Sequence, residues 1–336
     1  MKRYGYLFEQ ITDFANLYQA TQKAFCSHRD KPTIKIFWFN LEYELFKLQE
    51  ELSTQTYKPR SYQTFLIYEP KQRQICAAPI RDRVVHHAIC NIISPIWEKG
   101  MIYDSYACRI GKGTQAAIFQ SKKFAHKYKF YLQFDVKHFF ATLDRQVLKY
   151  IICRKIKDKK VLELLDLIID QDLIGSEEGK GVPIGNLTSQ WFANLYLNQL
   201  DQFIKNELQV KGYLRYMDDF ILFENSKEKL HNLSYEINSF VEDKLKLQLK
   251  PNPITSPCHQ GISFLGFCVF PNLIILQNKK LKTLKEKIIE LEEKANLGEI
   301  TEAELANRVQ SMIAHISKYN TFKTRQKIFE EYGKIK

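Results

Sequence analysis

Asp218 and Asp219 stand side by side in Tyr216-Met217-Asp218-Asp219, with apolar residues on both flanks, Tyr213-Leu214 before and Phe220-Ile221-Leu222-Phe223 after. A turn-like pair between β-favouring runs predicts a hairpin with both carboxylates at its tip. Two carboxylates about 4 Å apart repel by roughly 4 kcal/mol at an effective dielectric near 20, so something must neutralise them. Hard oxygen ligands suit Mg²⁺ or Mn²⁺. On its own an Asp-Asp pair at a strand end is also a common turn. A third acid, Asp135, closes an apolar run in Phe134-Asp135-Val136-Lys137-His138-Phe139-Phe140, where a carboxylate is locally out of place. It could merely cap a turn. Two strands that bring Asp135, Asp218 and Asp219 to one edge could instead hold two cations. Such a pair activates a 3′-hydroxyl and stabilises a departing pyrophosphate.

The elements that must position these acids can be read from periodicity. Residues 1–55 are expected to be helical, with Leu41, Leu45, Leu48 and Leu52 at helix spacing. Tyr57-Lys58-Pro59 breaks that pattern. Thr64 to Tyr68 and Arg73 to Ala78 read as strands around a Pro70-Lys71-Gln72 turn. Pro79 to Trp97 reads as an amphipathic helix with Val84, Val85, Ala88, Ile89, Ile92, Ile93 and Ile96 on one face. Phe130 to Val136 is a short strand, and Asp144 can cap a helix that begins at Arg145. After a glycine-rich stretch at 175–185 come a helix over Ser189 to Asn206 and the Asp-Asp hairpin. Lys227 to Leu249 is a further helix that could end in a strand near Leu247 to Lys250. Two strands follow, Gly261 to Phe270 and Leu273 to Gln277, and charged helices run from Lys279 onward. Helices and strands alternate without regular βαβ spacing, which favours an α+β fold over a doubly wound sheet.

The bulk numbers agree with a packed protein that meets a polyanion. The chain has 336 residues, enough for two or three subdomains, and 45% are apolar. The formal net charge of +12 points to nucleic acid ahead of membrane. The seven cysteines include no CxxC pair, so no zinc site is signalled and reduced thiols in the cytoplasm are expected. No apolar signal segment is visible near Met1, and no apolar run approaches 18 residues, so no membrane contact is expected.

Together, the segments around Asp135 and Asp218-Asp219 resemble motifs A and C of reverse transcriptases, where Tyr-Met-Asp-Asp is a hallmark. Gly181-Val182-Pro183-Ile184-Gly185-Asn186 looks like motif B, the loop beneath the templating base, in the family's order. The resemblance implies a right-hand polymerase. Its parts would be an N-terminal helical extension over 1–56, fingers over 57–129, a palm with an antiparallel sheet over 130–278 and an all-helical thumb over 279–336. It implies two Mg²⁺ ions, with Mn²⁺ as a substitute, on Asp135, Asp218, Asp219 and the Val136 carbonyl. Lys71, Arg73, Phe140, Ile184, Gly185 and Lys250 would bind the incoming deoxynucleotide. Phe140, five residues after Asp135, would be the steric gate against a ribose 2′-hydroxyl, and Lys250 the motif D proton donor to pyrophosphate. Template and primer would meet Arg81, Arg83, Arg109, Lys112, Gln190, Tyr216, Met217 and the primer-grip pair Leu265 and Gly266. Gly111-Lys112-Gly113-Thr114 lacks P-loop spacing and reads as a template-backbone contact or a simple turn. The adjacent His86 and His87 lack metal spacing and read as packing or RNA-facing.

Within that family, Ile184-Gly185-Asn186-Leu187-Thr188-Ser189-Gln190 is similar to the enzymes of diversity-generating retroelements; many other reverse transcriptases carry glutamine where Ile184 stands. Residues Ala77 to Ala88 and Tyr103 to Thr114 look like the same group. This implies copying of a template-repeat RNA into mutagenised cDNA. The partners implied would be that RNA, its cDNA and a small basic helical accessory protein, itself oligomeric. The nearest alternative is an antiphage or retron-like bacterial reverse transcriptase; the Asn-Ala-x-x-His element of retron-type enzymes is not found before motif A. A catalytically dead nucleic-acid-binding scaffold is the alternative of a different class, and the presence of all three aspartates argues against it.

Overall fold

The structure, a computed structural model, describes residues 2–26, 31–68, 72–173 and 177–332. Four helices open the chain: α1 (Phe8–Thr12), α2 (Phe14–Phe25), α3 (Pro32–Phe39) and α4 (Leu41–Ser53). Asp13 caps α2 through the N–H groups of Ala15 and Asn16. The hairpin β1 (Gln63–Ile67) and β2 (Arg73–Ala77) follows, then α5 (Ile80–Glu98) and α6 (Thr114–Lys127). Next come β3 (Phe130–Asp135), α7 (Phe139–Thr142), α8 (Arg145–Cys153), α9 (Lys159–Ile169) and α10 (Leu187–Gln202), which runs on into a π-helical turn at Phe203–Glu207. The strands β4 (Gly212–Tyr216) and β5 (Asp219–Glu224) form the second hairpin, followed by α11 (Lys227–Leu245) and β6 (Ile254–Pro257). Three short strands, β7 (Ile262–Phe264), β8 (Phe267–Val269) and β9 (Ile274–Leu276), lead into α12 (Asn278–Asn296), α13 (Glu302–Ser317) and α14 (Phe322–Tyr332). The fold is therefore a mixture of helices with antiparallel sheet. No helix among the described residues is long and apolar enough to cross a membrane, and all seven cysteines are unpaired.

The central sheet has the order β4-β5-β3-β6, antiparallel throughout. Both faces are buried, so its strands read as nearly continuous apolar runs, yet the side chains still alternate. Leu132, Phe134, Tyr213, Phe220 and Leu222 enter one core, with α5, α10, α11 and the N-terminal helices. Tyr131, Leu214, Ile221 and Phe223 enter the other, with α6, the β7-β8-β9 sheet and α13. The helices of residues 8–53 are not a loose extension: Ile11, Leu17 and Ala20 share the first core with Val84, Ala88 and Ile89 of α5. Sequence periodicity missed α6, α9 and β6, and merged β7 and β8, which are separated by the Leu265-Gly266 turn.

One charged residue interrupts the alternation. Arg215, mid-β4, is fully buried and meets Asp201 of α10, also fully buried. Its Nε and Nη2 donate to the two carboxylate oxygens at 2.8 and 2.6 Å. Tyr213 donates to the same carboxylate at 2.7 Å, Nη1 reaches Asn194 Oδ1 at 3.2 Å, and Nη2 reaches Ser105 Oγ at 3.2 Å. Every charge is answered, which is what makes a buried ion pair tolerable. Removing one partner leaves the other buried and unpaired. Arg215→Met is expected to cost about 3–5 kcal/mol in chemical denaturation, and the Arg215→Met/Asp201→Leu double variant is expected to regain most of it.

Candidate active site

The three aspartates meet at one end of the central sheet. The β3–β5 register pairs Asp135 directly with Asp219. Tyr216 pairs with Asp219 across the β4–β5 turn, which leaves Met217 and Asp218 at the tip. Met217 sits in the left-handed region at φ 57°, uncommon for a non-glycine residue. Its carbonyl accepts a 3.1 Å bond from Arg215 Nη1, so the buried Arg215–Asp201 pair also holds the turn that carries Asp218. The Val136 N–H donates to the Asp218 carbonyl at 3.3 Å, joining the two acidic segments again through the backbone.

Charge in this cluster is only partly compensated. Burial pushes the Asp219 carboxyl up to about 7, reinforced by Asp135 and Asp218 and opposed by a 3.0 Å bond from Gln133 Nε2. Asp218 is also raised, first by burial and then by Asp135, with Lys250 and Arg73 acting against it. Lys250 donates to Asp135 Oδ2, while Asp135 Oδ1 is buried without a hydrogen-bond partner. Among the described residues no three His, Cys, Asp or Glu side chains form a ready ion cage as they stand; Lys250 engages Asp135 and Gln133 engages Asp219. The donor set nevertheless fits a divalent cation: hard oxygens of like charge, with Asp218 and Asp219 both raised by burial and by Asp135, and one Asp135 oxygen orphaned.

The glycine-containing loop is bonded to both sides of this site. Gly181 N donates to Leu143 O and Val182 N to Phe140 O, each at 2.8 Å, and Cys76 N of β2 donates to Ile184 O at 2.8 Å. Asn186 completes the join, accepting from Ala78 N at 3.1 Å and donating to Cys76 O at 3.2 Å. Gly185 has φ +120°, and a Cβ there would come within 2.9 Å of Ile75 Cγ2, so glycine is required twice over. The Phe139-Phe140 pair divides. Phe139 is buried against Tyr196 at 6.3 Å, while Phe140 stays half-buried. The charge of Arg73, on β2, opposes the upward push on the Asp218 carboxyl.

Other expected contacts are placed differently. Arg81 is buried, with Nη2 2.7 Å from Glu51 of α4 and Nε 4.0 Å from Glu44, so it braces the N-terminal helices. Arg109 is likewise engaged within the protein: its guanidinium binds Glu98 at 2.7–3.1 Å and the Ser105 carbonyl at 2.8 Å. Arg83 Nε donates to Ala78 O at 2.7 Å. Lys112 lies 3.2 Å from the centre of the Tyr103 ring and donates to the Tyr103 carbonyl at 3.0 Å, a turn-stabilising placement. Tyr216 and Thr114 hydroxyls meet at 3.0 Å, Gln190 is half-buried on the first turn of α10, and Leu265 and Gly266 both have positive φ in the β7–β8 turn. His86 is buried against Thr188 at 2.7 Å, with burial pushing its imidazole down to about 3, so it packs. Lys71 lies outside the described residues. Two residues went unforeseen, Gln133 and Arg215. Both are polar residues inside apolar strands, the same signal that exposed Asp135.

Residues 63–269 match the family described as Reverse transcriptase (RNA-dependent DNA polymerase). Protein YkfC of Escherichia coli is 25% identical over 67% of this chain and 71% of its own length. Group II intron-encoded protein LtrA of Lactococcus lactis is 21% identical over 67% of this chain and 49% of its own, so the chain spans about half of that relative. Apo telomerase from Candida Tropicalis aligns with a TM-score of 0.49 at 14% identity, covering 67% of this chain and 52% of that one.

Asp219 gives a pH prediction. Its folded-state carboxyl is raised from 3.8 to about 7, so its contribution to stability is fully present below pH 4 and is lost as pH rises toward 7. In EDTA, the gain in thermal midpoint of Asp219→Asn over wild type should grow between pH 5 and pH 8. A gain independent of pH would contradict it.

Proposed function

The chain belongs to the reverse transcriptase (RNA-dependent DNA polymerase) family, and from that premise we propose that it copies a template-repeat RNA into mutagenised cDNA for a diversity-generating retroelement. The observation that carries the chemistry is the β3–β5 register, which sets Asp135 opposite Asp219 with Asp218 at the adjoining tip. Asp135, Asp218, Asp219 and the Val136 carbonyl would hold two Mg²⁺ ions, with Mn²⁺ able to substitute, and bound metal would supply 3′-hydroxyl activation and neutralise the leaving pyrophosphate.

The chain's own groups do the rest. Arg73 binds the triphosphate, where a guanidinium fork suits phosphate oxygens. The Phe140 ring fills the space of a 2′-hydroxyl, and its half-exposure beside buried Phe139 supports that choice. Ile184 and Gly185 lie beneath the nascent base pair, and Leu265 and Gly266 hold the primer end. Lys250 gives a proton to the pyrophosphate. In this reading residues 57–129 are fingers, 130–278 palm and 279–336 thumb, after an N-terminal extension at 1–56. Template RNA and cDNA are the polyanions that the +12 charge meets. A small basic helical accessory protein is the protein partner.

A second reading follows from the relatives: LtrA is described as a group II intron-encoded protein, and the template could be an intron-type RNA. The RNA and cDNA that copurify from the host separate the two, since only a retroelement yields adenine-directed changes in a repeat.

Primer extension on an RNA template tests the chemistry. Asp218→Asn should abolish it, and Phe140→Ala should raise ribonucleotide incorporation by about tenfold, the scale of a 1.4 kcal/mol change. Unchanged sugar selectivity would remove Phe140 from the gate. Isoleucine at 184 lacks an amide that could test pair geometry, a contact worth on the order of 1 kcal/mol. Ile184→Gln should therefore lower misincorporation by less than tenfold in sequenced cDNA; an unaltered error spectrum refutes the role.

A further inference from the structure

Lys250 reaches the active site by backbone pairing, not by a chance excursion of a long side chain. Helix α11 ends at Leu245, and its C-cap Lys246, with φ 52°, turns the chain. Leu247 is then buried in the core, Lys137 N donates to Gln248 O at 2.8 Å, Leu249 bridges Val136, and Lys250 N donates to Asp135 O at 2.9 Å. Main chain and side chain of Lys250 thus both bind one residue, and the ammonium caps Asp135 Oδ2. The same ammonium also offsets charge at Asp218 and Asp219, so one cation serves three carboxylates. Arg73 is the other cation felt at Asp218.

We propose that Lys250 is a built-in counter-cation that a divalent ion must displace from Asp135, so that metal loading and release of the ammonium toward the nucleotide are a single event. The inference rests on the metal reading above and adds to it an order of events. A divalent ion on Asp135 repels an ammonium on the same carboxylate, and that repulsion moves the flexible partner, whose side chain is 43% exposed. The Lys250 main chain stays paired with Asp135, so the freed ammonium remains tethered beside the site.

Two measurements on the full chain, without nucleotide, test this. The first is Mn²⁺ binding by electron paramagnetic resonance. Lys250→Gln should bind Mn²⁺ about two- to fivefold more tightly than wild type, the fold-change of a lost exposed ion pair. The second is amine acylation of Lys250 in the wild type, followed by peptide mass spectrometry. Mg²⁺ should accelerate labelling of Lys250, whereas in Asp135→Asn it should be fast from the start and insensitive to Mg²⁺. Wild-type Mn²⁺ binding that Asp218→Asn abolishes, with either readout unchanged, overturns the displacement and leaves the metal site standing. No Asp218-dependent Mn²⁺ binding overturns both.

Discussion

Three carboxylates held at one strand end is the constraint around which the rest is arranged. Asp135 and Asp219 are direct cross-strand neighbours, a pairing that like charges disfavour. The backbone does not relax it, because both strands are buried on both faces and a one-residue slip would turn every core side chain outward. The tension is therefore met by side chains: Gln133 on Asp219, Lys250 on Asp135, and burial that raises Asp218 and Asp219. Each of these responses is one that a divalent cation would reinforce or replace.

The site also needs a rigid floor. The β4–β5 turn puts a non-glycine residue in a left-handed conformation, and such strain persists only where surroundings overdetermine it. Arg215 supplies that by bonding the Met217 carbonyl while locked in two bonds to Asp201. A hydrophobic residue at 215 could fill the space but could not hold a carbonyl. The buried pair thus has a positional use that its own stability would not explain.

Much of this was legible from residue types. Apolar runs bordered by acids marked β3 and the second hairpin, and the glycine-rich stretch marked the loop that is bonded to both Phe140 and β2. Arginines were read less well. The resemblance assigns Arg81 and Arg109 to template, and each side chain is buried against a glutamate that is distant in sequence or lies across a loop. Such pairing is a tertiary fact that local sequence does not carry. Helix α6 has a weaker pattern for a different reason: of the residues it buries, Ala117, Ser121 and Ala125 are small or polar and only Ile118 is a large apolar side chain.

The loop at 181–186 connects parts that the mechanism treats separately. Its Val182 N–H is fixed to the Phe140 carbonyl, and its Ile184 carbonyl to Cys76 of the strand that carries Arg73. A side chain at 185 would collide with Ile75 of β2, so the loop can lie against the strand only with glycine there. On the proposed reading, a displacement of the β1–β2 hairpin would be transmitted through these backbone bonds to the loop assigned beneath the base pair and to Phe140, assigned beside the sugar. Selection at base, sugar and phosphate would then share one hydrogen-bonded unit, and a substitution at any of the three positions should be read at the other two.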